Sequence, residues 1–141
     1  MLLGASFAGL AIENSMLGAT HALANPLTAE YGIAHGQAIA VMLPHVIRFN
    51  GAEVASMYQD LLDSTGGANG FPNPSDGVEG LADFVADLVA KAGLATRLEE
   101  CGVERRRLPE LAAAAKTQWT GNFNPREVSE QSLQRLYEEA L

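Results

Sequence analysis

Cysteine is almost absent from this sequence: Cys101 stands alone among 141 residues. No internal disulfide can form, which fits a reducing compartment, and a cytoplasmic location is expected. Basic residues are also scarce, with 9 Lys and Arg against 17 Asp and Glu and a net charge of −8. Such a balance repels phosphate backbones, and no basic stripe is interleaved with aromatics, so nucleic-acid binding is excluded as an expectation. The apolar opening MLLGASFAGLAI has no Lys or Arg before it, and Glu13, Asn14 and His21 interrupt the residues beyond it. A signal peptide is therefore not expected, although Ala22-Leu23-Ala24 resembles a cleavage site. A membrane span fails too, since it needs about 18 or more uninterrupted apolar residues. There is no sustained period-2 alternation, no internal repeat and no glycine-rich phosphate loop after a strand.

What is present is apolar, small and helix-favouring. A hydrophobic share of 48% with 18% charged residues and 6% aromatics describes a globular chain. At this length the expectation is one domain, residues 1–141, with an all-α fold. Residues 3–24 read as a helix apolar nearly all round, which implies burial. Its uncapped start looks like the middle of something larger. Asn25-Pro26 is expected to end that helix. A second buried helix runs from about Ile33 to Phe49, with Pro44 kinking it and Asn50-Gly51 stopping it. Ala52–Asp63 reads as a third helix, with Val54, Met57, Tyr58, Leu61 and Leu62 inward. A loop, STGGANGFPNPSDG, separates it from a fourth helix capped by Ser75 or Asp76 and ending near Ala92-Gly93. On that fourth helix Val78, Leu81, Val85 and Leu88 form one face. Leu94–Arg107 is irregular. Leu108-Pro109 opens a fifth helix through LAAAAKTQW, and TGNFNPR is a turn. Ser129 caps a last helix whose Leu133, Leu136 and Tyr137 face inward.

All three histidines, His21, His35 and His45, lie between Gly18 and Asn50 in otherwise apolar sequence. His21 falls near the end of the first expected helix and His35 near the start of the second, so a turn between them can bring the rings together. Spacing alone leaves two readings open: imidazoles hydrogen-bonded within a core, or two ligands of a metal site. An open catalytic site needs about three protein ligands, so the stretch reads as half a site. His45, beside Pro44, reads as structural, its ring satisfying a carbonyl freed by that proline. Cys101 lacks a histidine partner. Asp60, Asp63, Glu99 and Glu100 read as surface carboxylates, and Arg105–Arg107 as a solvated patch or helix-end counter-charge. Trp119 is expected against the core or lining a cleft.

The segment GATHALANPLTAEYGIAHGQAIAVMLPHVIRFN resembles the signature of the iron-containing (group III) alcohol dehydrogenases. Gly18, His21, Pro26, Leu27, His35, Gly36, Leu43, Pro44, His45 and Asn50 match it. Downstream, Leu108-Pro109-Glu110-Leu111 and Asn124-Pro125-Arg126 match the late helix start and the closing turn. The resemblance implies the C-terminal helical domain of the dehydroquinate synthase-like fold, about the last third of a family member. It also implies NAD(P)-dependent interconversion of alcohols with aldehydes or ketones. One divalent metal, iron or in some members zinc, is held by an aspartate and three histidines. His21 and His35 match the last two of those histidines. The aspartate, the first histidine and the dinucleotide-binding domain lie upstream in the family, so NAD(P) would bind only with that missing portion. Asn25 stands where the family commonly has a histidine beside the nicotinamide, and an amide cannot exchange a proton near neutral pH.

The residues support two readings. In the first the chain is the metal-binding helical part of such an oxidoreductase, inactive alone, acting on a small alcohol or aldehyde. In the second it is a non-catalytic helical descendant that homo-oligomerises to cover its apolar surface. Retention of His21 and His35 favours the first.

Overall fold

In the computed structural model, residues 2–64 and 76–141 are described, and all their regular structure is helical. The helices are α1 (Leu2–Asn14), α2 (Ala19–Tyr31), α3 (His35–Ser64), α4 (Gly77–Lys91), α5 (Leu108–Lys116) and α6 (Glu130–Ala140). Short 3-10 turns occupy Glu99–Cys101, Arg105–Arg107 and Trp119–Phe123. The all-α expectation holds, and several helix boundaries do not.

The expected single helix over residues 3–24 is two. The Asn14 side-chain amide donates to the Leu10 carbonyl and the Ser15 hydroxyl to the Ala11 carbonyl, at 2.9 and 2.8 Å. These bonds occupy carbonyls that a continuing helix would use. The chain then bends by 106° into α2. Contrary to the expected burial, α1 has no buried residue. No single helix among the described residues is long and apolar enough to cross a membrane.

Pro26 lies inside α2 rather than after its end. Proline forfeits one ladder bond there, and burial of Ala22, Leu23, Ala24 and Leu27 at 0% exposure outweighs it. The helix stops instead at Gly32, whose left-handed φ of 64° suits glycine and whose N–H donates to the Thr28 carbonyl. Asn50-Gly51 is not a stop either, because α3 runs on to Ser64. Gly51 faces α4: a Cβ there would lie 2.6 Å from a Val78 methyl, so the glycine serves close helix approach. The second and third expected helices are thus one, with its non-helical residue at Val54 rather than at Pro44. Met57 and Leu61, expected inward, are 67% and 52% exposed, while Leu62 is buried. On α4, Leu88 is exposed and Val89 takes the buried place. Asp76 precedes α4 without a side-chain cap bond, and the expected loop lies largely in residues 65–75, outside those described, as does Ser75.

The main core gathers α2, α3, α5 and α6 around Leu23, Leu27, Met42, Leu111 and Leu133. Tyr137 fills its centre and donates its hydroxyl to the Leu23 carbonyl at 2.6 Å, and burial, with Glu30 adding to it, pushes the phenol up. A smaller cluster of Ile47, Leu62, Leu81 and Ala82 joins α3 to α4. The last helix begins as expected, with Ser129 and Ser132 forming a reciprocal capping box.

Candidate metal centre

His21 belongs to the first turn of α2, not to the end of an earlier helix, and His35 is the first residue of α3. The reversal at Gly32 folds α3 back on α2 and brings the two rings to a centroid separation of 5.5 Å, tilted by 48°. An imidazole nitrogen lies about 2.0–2.1 Å from a bound divalent ion, so two rings at a tetrahedral angle have centroids about 5 Å apart. The observed spacing fits one shared ion. His21 is half-buried and His35 exposed, so the pair is accessible to solvent. Burial, and then the neighbouring His35, lower the His21 pKa, and a helix N-terminus adds to the bias against imidazolium. The ring is thereby kept in its neutral form, the form that ligates metals. Among the described residues, no three His, Cys, Asp or Glu side chains converge. Two imidazoles are what these residues bring to such an ion.

Asn25 lies one turn after His21 on the same face of α2. Its amide N–H donates to Gln118 Oε1 at 2.8 Å, so its orientation is fixed by the segment that follows α5. Trp119, next in sequence, is 57% exposed and packs edge-to-face on Phe123, with centroids 5.9 Å apart. Among the described residues it belongs to neither core cluster.

The position of His21 is set from far away in the chain. Asn50 and Asn124 pair through their amides, Asn124 donating to Asn50 Oδ1 at 2.7 Å and Asn50 to Asn124 Oδ1 at 3.1 Å. Asn124 Oδ1 also accepts the Ala19 N–H at 3.1 Å, and its second N–H reaches the Arg126 carbonyl at 2.7 Å. Every donor and acceptor of the Asn124 side chain is used. It acts as a remote N-cap for α2, two residues before His21. Gly18 is required there, because a Cβ would meet Asn124 Oδ1 at 2.9 Å. Arg126 closes the cluster, donating to the Phe49 carbonyl at 2.8 Å with its guanidinium 4.1 Å over the Phe49 ring.

Sequence reasoning treats the asparagines of TGNFNPR as ordinary turn residues and gives Gln118 no role. The pairing of Asn50 with Asn124 spans 74 residues, and only the folded chain reveals it. His45 is half-buried, with its pKa lowered by burial and by Arg48, and its ring makes no hydrogen bond to a described residue. The expected bond to a carbonyl freed by Pro44 is not found among the described residues. Cys101 is half-buried and its thiol is pushed up by burial and by Glu100, which opposes a nucleophilic role. Arg107 pairs with Glu30 and Glu110, and Arg106 with Glu104, as counter-charges.

Residues 1–141 match the model of the Fe-containing alcohol dehydrogenase family, C-terminal. The chain belongs to the iron-containing alcohol dehydrogenase family. It is 32% identical over 140 residues to lactaldehyde reductase of Escherichia coli (strain K12), covering 99% of this chain and 37% of that protein. It is 31% identical over 134 residues to 1,3-propanediol dehydrogenase of Citrobacter freundii, covering 95% of this chain and 35% of that one. The chain thus spans a little over a third of these relatives. A crystal structure of 1,3-propanediol oxidoreductase superposes with a TM-score of 0.79 at 28% identity, over 89% of this chain and 33% of that one. An alcohol dehydrogenase from Oenococcus oeni shares the fold, with a TM-score of 0.85 at 23% identity over 95% of this chain and 35% of its own. Family and fold agree with the resemblance carried by Gly18–Asn50.

Proposed function

We propose that this chain is the metal-binding helical part of an NAD(P)-dependent iron-type alcohol dehydrogenase acting on a small alcohol or aldehyde. The observation that carries this reading is the convergence of His21 and His35 at 5.5 Å. These two side chains would hold a divalent ion, iron or zinc, with the remaining ligands and the dinucleotide site supplied by the portion of the family's length that this chain does not span. When bound, the ion supplies Lewis-acid polarisation of an alcohol or carbonyl oxygen. This chain's residues do the rest by position. The Asn50–Asn124 pair fixes the start of α2 and hence His21, and the turn at Gly32 fixes His35. Asn25, held by Gln118, offers a fixed hydrogen-bonding amide where a histidine would relay a proton. The chain alone is then without turnover.

The test is a chimera in which these residues replace the matching part of Escherichia coli lactaldehyde reductase. Metal- and cofactor-dependent reduction of lactaldehyde is expected from the chimera and none from the isolated chain. His21→Ala or His35→Ala should lower kcat/KM by about 100-fold or more. Asn25→His should introduce a rise in activity around neutral pH. Unchanged kcat/KM in both alanine variants would refute the ligand assignment.

A further inference from the structure

We propose that the groove between α3 and α6 is a binding site for a small dianion, sharing no residue with the histidine pair. The open groove has a volume of about 390 Å³ and is lined by Arg48, Phe49, Arg126, Ser132, Arg135, Leu136 and Glu139. That volume lies within the range of small-molecule sites, about 300–1,000 Å³. Three of the chain's 9 basic residues meet here, in a protein whose net charge is −8. A solvated surface of this composition has no reason to concentrate them.

The three guanidiniums have different duties. Arg48 is committed outward, its Nε to Glu79 at 2.8 Å and its Nη2 to Asp83, so it forms a wall whose charge is already balanced. Arg126 lies over the Phe49 ring and is tied by Nη1 to a neutral carbonyl. Its charge meets no carboxylate among the described residues. Arg135, on α6, likewise makes no ion pair with a described residue. Two guanidiniums without a carboxylate partner on one groove match a dianion, because a guanidinium presents a planar fork of donors to paired oxygens. Glu139 is the one carboxylate on the lining and opposes the ligand. The shared chemistry is a phosphate monoester or a short dicarboxylate.

The experiment is a nitrogen-15 NMR titration of the chain with inorganic phosphate in one arm and succinate in the other, against chloride at matched ionic strength. Saturable shifts should appear at residues 48–49, 126 and 132–139, with Kd on the order of millimolar for such minimal probes. Tighter phosphate binding assigns a phosphate ester, tighter succinate binding a dicarboxylate, and equal binding a site selective by charge alone. Arg135 and Glu139 are exposed, so both substitutions leave the core intact. Arg135→Gln should weaken binding about fivefold, and Glu139→Gln should tighten it about threefold. Shifts that track chloride, or two variants that move the affinity in the same direction, would overturn the proposal.

Discussion

At the scale of single residues, the chain's acid–base behaviour rests on histidines held neutral. Burial lowers the pKa of both His21 and His45, with a second positive group, His35 or Arg48, adding to each. A base whose folded pKa lies below its unfolded value near 6.5 binds fewer protons when folded than when unfolded. Stability is therefore fully present above about pH 6.5 and falls as the pH drops toward the lowered folded values. Chemical denaturation between pH 7.5 and 5 should show this loss, and His45→Gln should flatten part of it. A pH-independent midpoint in the wild-type chain would contradict the burial assigned to these rings. Divalent metals gain from the same bias, because they compete less with protons for a neutral imidazole.

At the scale of elements, a pair of amides ties the start of α2 to α3 and to the turn before α6, while Arg48 joins α3 to α4 by charge. Asn124 links α2, α3 and the turn before α6 through four hydrogen bonds, and Asn50 is 6% exposed. Asn124→Ala would remove a partner from the Asn50 amide, leaving it Tyr58, and from the Ala19 N–H, at a cost of about 2–4 kcal/mol. Urea unfolding should report that loss without a change in slope, and a cost below about 0.5 kcal/mol would show that the pair is ornamental. This linkage marks where the sequence stops being legible. Local signals identify what depends on local chemistry: the cap at Ser129, the proline-led start of α5, and the inward Leu133, Leu136 and Tyr137. Pro26 and Asn50-Gly51 mislead, because local preferences for ending a helix are small beside burial of Leu27 and the approach of Val78 to Gly51. His21 and His35 are identifiable as a pair by kind and by motif. Their distance, the Gln118 hold on Asn25 and the remote cap at Ala19 depend on separations of 93 and 105 residues that no local pattern encodes.

As a whole molecule, the chain is a helical core with an apolar arm. On α1, Leu2, Leu3, Phe7 and Leu10 are 90%, 67%, 62% and 56% exposed, a surface that soluble monomers rarely leave bare. Within the proposed function that face would be covered by the rest of the family's architecture, and in the isolated chain a second copy would be expected to take its place. Sedimentation velocity at rising concentration should show self-association, and Phe7→Gln with Leu10→Gln should abolish it; a wild-type monomer throughout would remove this expectation. The central claim remains that His21 and His35 form part of a metal centre. Its most direct test is calorimetric titration of the purified chain with zinc or, without oxygen, ferrous iron, beside the His21→Ala, His35→Ala double variant. The account predicts weak binding, with Kd on the order of micromolar or above, that the double variant abolishes. Equal binding by the wild type and the double variant would contradict it.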